Sequence, residues 1–135
     1  MSRKIFVNLP VTDLRRSMAF FAALGFVHNP AFTNEQAACI VISEEIYTML
    51  LTHPFFQGFT GKAIADATQS TEALICLSCD SAQEVDALVK KALAAGGSAP
   101  RPAQDMGFMY SHGFEDPDGH IWELVHMREM PPAEG

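Results

Sequence analysis

Glu123 is the residue on which a chemical reading of this chain turns. It stands in Ile121-Trp-Glu-Leu-Val125. Alternation puts Ile121, Glu123 and Val125 on one side of a strand, and Trp122, Leu124 and His126 on the other. A carboxylate between two apolar neighbours is costly to bury unless it is paired, protonated or bound to a metal. His112, on the preceding strand-like run, is the group best placed to work with it as acid and base. That requires both side chains to face inward, with pKa values tuned by burial. A second reading makes Glu123 a structural carboxylate, capped by Tyr110 or by a backbone N–H.

Other chemistry-bearing residues are weaker candidates. Cys76-x-x-Cys79 has the spacing of a redox or zinc pair, but strand positions three apart face opposite ways. No second cysteine pair completes a zinc set, so Cys39, Cys76 and Cys79 read as small hydrophobes in a reducing cytosol. His53 sits at the mouth of a long connection, His28 and His120 are expected to be exposed, and His126 lies behind Glu123. Phe108, Met109, Tyr110 and Phe114 make an amphipathic stretch that suits a pocket wall, and Phe55 and Phe56 are placed to close it. Gly96-Gly97 ends a helix instead of opening one, so it offers no phosphate cradle. There is no serine nucleophile elbow. A net charge of −7 argues against a nucleic-acid footprint and leaves room for a cationic small ligand. No run approaches the ~20 apolar residues of a membrane span, and no signal peptide is visible.

The elements that must position these residues form a repeated pattern in 135 residues, of which 48% are apolar. Ile5 to Val11 reads as a strand. Asp13 caps a helix from Leu14 to Leu24, with Leu14, Met18, Phe21 and Leu24 inward and Gly25 as its stop. Strands follow at Phe26–Thr33, with Pro30 marking an edge or bend, at Ala37–Ile42 and at Ile46–Thr52. After an irregular stretch, a strand at Ala73–Cys79 leads to the capping box Ser81-x-x-Glu84. The helix it opens runs to about Ala95, with Val85, Leu88, Val89, Ala92 and Leu93 inward. A weak strand at Ala99–Gln104 precedes the last two, Phe108–Glu115 and Ile121–Val125, joined by the turn Asp116-Pro-Asp-Gly119, to which no chemistry is assigned. Two β-α-β-β-β patterns in tandem predict an α+β fold of two modules, 1–53 and 72–130, joined by a linker over 54–71. Met130 to Gly135 reads as a frayed tail.

Two motifs carry a resemblance. Leu9-Pro-Val-Thr-Asp-Leu-Arg-Arg-Ser17 with Phe20-Phe21 and Leu24-Gly25-Phe26 opens the chain, and Glu115-Asp-Pro-Asp-Gly119 followed by Ile121-Trp-Glu-Leu closes it. Both resemble the vicinal oxygen chelate superfamily of glyoxalase I, bleomycin-resistance proteins and extradiol dioxygenases. The resemblance implies two βαβββ modules packed into an open, curved cleft that holds a ligand or metal, and often a homodimer. It implies a divalent metal held by one His, Gln or Glu from each of four strands. Those positions correspond here to Phe6, about Leu50, Leu74 and Glu123, of which only Glu123 is a ligand type. A shift of two along the strands offers Asn8, Thr48 or Thr52, and Cys76; Asn8, Cys76 and Glu123 could form a set, but Asn is a poor transition-metal ligand.

The resulting expectation is a cytoplasmic, homodimeric binder of a small organic molecule, with no cofactor, nucleic acid or membrane partner. It would sequester or carry a ligand, as the antibiotic-resistance branch does. Phe6, Asn8, Leu50, His53, Phe56, Leu74, Cys76, Phe108, Tyr110 and Phe114 are the candidate lining residues. The alternative is a glyoxalase-like lyase or isomerase, or an extradiol-type dioxygenase, with Fe, Mn, Ni or Zn at a rearranged site around Glu123.

Overall fold

A computed structural model describes residues 3–128; the expected tail at Met130–Gly135 lies outside them. The chain divides into two compact units, Met1–Asp66 and Ala67–Gly135. The division falls inside the stretch expected to link two modules.

In the first unit, β1 (Ile5–Val11) leads to α1 (Leu14–Ala23), then β2 (Val27–His28), β3 (Ala37–Val41) and β4 (Ile46–Thr52). The sheet order is β1-β4-β3-β2, with β1 and β4 parallel and the other pairs antiparallel. Asp13 accepts from the Arg16 N–H as the N-cap of α1. Gly25, at φ 102°, ends the helix, with Phe26 N–H donating to the Phe21 carbonyl. The buried stripe of α1 is Ser17, Phe20, Phe21 and Leu24; Leu14 and Met18, expected inward, are only half-buried. The second strand is much shorter than expected. Asn29 accepts from the Ala31 N–H and turns the chain into a short 3-10 segment, Pro30–Phe32, because Pro30 has no N–H for a ladder.

The register sorts the side chains of this sheet. Phe6 pairs with Tyr47, Asn8 with Met49 and Leu9 with Leu50. Paired residues share a face, so Leu9, Val11, Ala38, Ile40, Thr48 and Leu50 form the buried face under α1. Phe6, Asn8, Tyr47 and Met49 occupy the other. After β4 the chain forms a five-residue helix, α2 (His53–Gln57), where a plain linker was expected. Pro54 fits its first turn, where no N–H is needed.

The second unit repeats the plan: β5 (Leu74–Ser78), α3 (Ala82–Ala94), β6 (Gln104–Asp105), β7 (Met109–Glu115) and β8 (Ile121–Met127), in the order β5-β8-β7-β6. Ser81 Oγ accepts from the Glu84 N–H, and Glu84 reaches back to the Asp80 N–H. Gly96, at φ 106°, and the Gly97 N–H to Ala92 carbonyl bond close α3 as Gly25 closes α1. Val85, Val89 and Ala92 are buried on the sheet, whereas Leu93, expected inward, is 48% exposed. The strand expected at Ala99–Gln104 is reduced to a bridge at Ser98 and the two residues of β6. Pro100 and Pro102 remove the donors a longer ladder needs.

Candidate functional site

Alternation in the second sheet separates two sets of residues. Ile75, Leu77, Tyr110, His112, Phe114, Trp122, Leu124 and His126 share the face toward α3. Leu74, Cys76, Ser111, Gly113, Ile121, Glu123 and Val125 share the other, joined by Gln104 from β6. The first face carries the buried Phe114, Trp122 and Leu124; the second carries no fully buried residue. Glu123 is therefore half-buried on an open face, so the desolvation expected for it is partial.

On this face lies a cavity of about 170 Å³, walled by Leu74, Ile121, Pro100 and Pro102, with Arg101, Gln104, Ser111, His112, Gly113, Phe114 and Glu123. Pro100 to Gln104 form its outer wall, pinned where His112 Nε2 meets the Arg101 carbonyl at 3.1 Å. A carbonyl only accepts, so in this contact Nε2 carries the proton. The Glu123 carboxylate lies over Gly113. A Cβ at Gly113 would stand 2.9 Å from Glu123 Oε2 and 2.8 Å from the Trp122 carbonyl oxygen. A bare backbone there is what lets the carboxylate lie across the neighbouring strand. Among the described residues Glu123 makes no hydrogen bond or ion pair. Cys76 pairs with it across β5 and β8, and loss of solvent at the sulfur, helped by the Glu123 charge, pushes the Cys76 thiol up. Cys79 is pushed up to about 11, first by burial and then by Glu84 and Asp80. Both are free, protonated thiols.

The expected site residues divide accordingly. Leu74, His112, Phe114 and Glu123 meet around this cavity. His112 and Glu123 do not form the expected acid–base pair, because His112 pairs with Leu124 and so lies on the opposite face. Tyr110 is also on the helix side. Its hydroxyl donates to Asp86 on α3 at 2.6 Å, so it neither lines the cavity nor caps Glu123. Phe114 is 2% exposed, its ring stacked on Trp122. Cys76 shares the open face without lining the cavity, and Phe108 precedes β7, partly exposed. In the first unit Phe6 stacks on Tyr47 at 4.8 Å, beside Asn8 on the open face. Leu50 is 0% exposed under α1, one register step from that face, so it lines no site; Met49 takes the position. His53 and Phe56 lie on α2, both half-buried.

A second cluster was missed entirely. His120, expected exposed, is 2% exposed, with Nδ1 3.0 Å from Glu72 Oε1. Asp116 accepts from the N–H groups of Asp118 and His120 and from Trp122 Nε1. Burial nonetheless holds the Asp116 carboxyl above its usual value, against the lowering effects of His120 and the three donors. Gly119, at φ 88°, lets the turn pass close to Ala67. The turn is thus a buried anchor of the second unit, which its Asp-Pro-Asp-Gly composition did not reveal.

The four-ligand metal arrangement that the resemblance implies does not fit these residues. Phe6 and Leu74 are hydrocarbon, Leu50 is in the core, and its half-exposed neighbour Met49 offers only a thioether. Among the described residues no three His, Cys, Asp or Glu side chains stand together as a metal-binding group.

Two four-stranded mixed sheets, each with a helix on one face and neither closed into a barrel, are the fold of the glyoxalase/bleomycin-resistance/dioxygenase proteins. Residues 3–43 match the family model described as bleomycin resistance protein-like N-terminal. A hypothetical protein of S. aureus shares 29% identity over 93% of this chain and 94% of its own, with a TM-score of 0.79. A glyoxalase-related enzyme of Fulvimarina pelagi shares 24% over 100% and 96%, with 0.78. A fosfomycin resistance protein of Listeria monocytogenes shares 20% over 98% and 96%, with 0.67. No curated protein matches the chain. What this chain shares with the vicinal oxygen chelate superfamily is thus the fold and the match over residues 3–43.

Proposed function

We propose that this protein binds a small organic molecule on the open face of its second sheet, without the metal centre usual in its superfamily. The observation that carries this reading is the cavity beside Glu123: apolar walls from Leu74, Ile121, Pro100 and Pro102, with one carboxylate that no other group among the described residues satisfies. Small-molecule sites are built in this way, mostly apolar with a few polar tips. At about 170 Å³ it is close in size to the ~150 Å³ cavity known to admit benzene, so it takes one ring or a comparable fragment. Binding without turnover would suit sequestration or carriage. A cytoplasmic homodimer belongs to the same reading; exposed apolar residues on the edge strands, Ile5, Phe6 and Leu74, suit a covered edge.

Ser111→Trp tests the reading, because it fills the cavity from the open face. Ring-sized ligands found by thermal-shift screening of the native protein should lose binding to this variant while its circular dichroism is unchanged. Equal binding to both proteins would place the ligand elsewhere and sink the proposal. One observation favours a metal-dependent lyase or dioxygenase instead, the unsatisfied Glu123 carboxylate beside Cys76.

A further inference from the structure

The cavity carries information about the charge of its ligand. Glu123 is half-buried, borders hydrocarbon on several sides and has no hydrogen-bond or ion-pair partner among the described residues. A carboxylate in that setting has lost part of its water and gained nothing in exchange. Its neighbours do not correct this. Cys76 is a protonated thiol, Gly113 has no side chain, and Ser111 and Gln104 are neutral. The polar groups nearest in sequence on β7 do not hold the carboxylate: His112 and Tyr110 face the helix side and bond the Arg101 carbonyl and Asp86. The chain as a whole, at −7, adds a field of the same sign as Glu123.

One positive group also borders the cavity. Arg101 is exposed on the outer wall and forms no ion pair with Glu123. Its guanidinium keeps its water, whereas the carboxylate is the group left wanting. We infer that the cavity selects a small cationic ligand, a protonated amine on a body of one ring, with Glu123 as its counter-charge. The ring lies against Leu74, Ile121, Pro100 and Pro102, and the ammonium donates to the carboxylate. A charge-assisted hydrogen bond of this kind discriminates strongly against a neutral body of the same shape. The inference rests on the binding reading above.

Three probes of matched shape test it on the full chain: benzylamine, benzyl alcohol and benzoate, followed through the methyl resonances of Leu74 and Ile121. Benzylamine should bind about tenfold more tightly than benzyl alcohol, and benzoate most weakly of the three. The amine preference should vanish in Glu123→Gln while benzyl alcohol binds that variant as before. The amine–alcohol comparison is made on the unaltered protein, so it stands even where the variant misfolds. If benzyl alcohol equals benzylamine, or benzoate exceeds both, the cavity binds ring-sized molecules but the charge assignment is overturned. If none of the three moves either methyl resonance, the binding reading fails and this inference fails with it.

Discussion

Asp116 shows how much one side chain can organise. Its two oxygens collect the N–H groups of Asp118, His120 and Trp122 Nε1, yet burial still favours the protonated acid. With the folded pKa raised above the usual 3.8, the group's contribution to stability is fully present below 3.8 and is lost as pH rises through the folded value. Asp116→Asn removes that titration while keeping the acceptor for the two backbone donors. Urea unfolding from pH 3.5 to 7 should show the native protein's advantage over the variant shrinking as pH rises. An advantage that widens with pH would mean that the three donors outweigh desolvation. The importance of Asp116 was hidden in the sequence because Asp-Pro-Asp-Gly is ordinary turn chemistry. The turn is held by Trp122, which donates to Asp116, and by the approach of Ala67 to Gly119, contacts that no local pattern announces. Glu123, by contrast, stood out because local alternation alone set it among apolar residues.

At the scale of elements, the helices were the most readable parts. Asp13, Ser81 with Glu84, Gly25 and Gly96 mark both helix ends within a few residues of chain, and each acts where it was expected. Removing the Ser81 cap should cost about 1 kcal/mol, the usual price of an N-cap lost to alanine. Denaturant unfolding of Ser81→Ala, read by Trp122 fluorescence, checks this; an unchanged midpoint would show the cap to be dispensable. Strands were readable in existence and less so in register. Leu50 was one step off, which is enough to move a side chain from one face of a sheet to the other. The same arithmetic separated His112 from Glu123. Register depends on which residue of a distant strand lies opposite, and that information is absent from either strand alone. The wall from Pro100 to Gln104 was unreadable for a similar reason. Two prolines announced a weak strand, but its use as the side of a cavity depends on His112, eleven residues from Arg101.

The whole molecule is one plan used twice, β-α-β-β-β, and that repetition was legible from the spacing of caps, stops and strands. Ligand chemistry is not fixed by that plan, and it can be tested on the intact protein. Elemental analysis after purification without a tag should find Fe, Mn, Ni and Zn well below one equivalent per chain. A stoichiometric metal that disappears in Glu123→Gln would instead establish the metal-dependent reading and overturn the fit argued from Phe6, Leu50 and Leu74.

The strand order has a consequence for synthesis on the ribosome. In each unit the strand made last lies inside its sheet, β4 between β1 and β3, and β8 between β5 and β7. A nascent second unit therefore holds flanking strands with no centre until Ile121–Met127 has left the exit tunnel. Until then, β5 and β7 lack the strand that pairs with both, which is the one that carries Glu123.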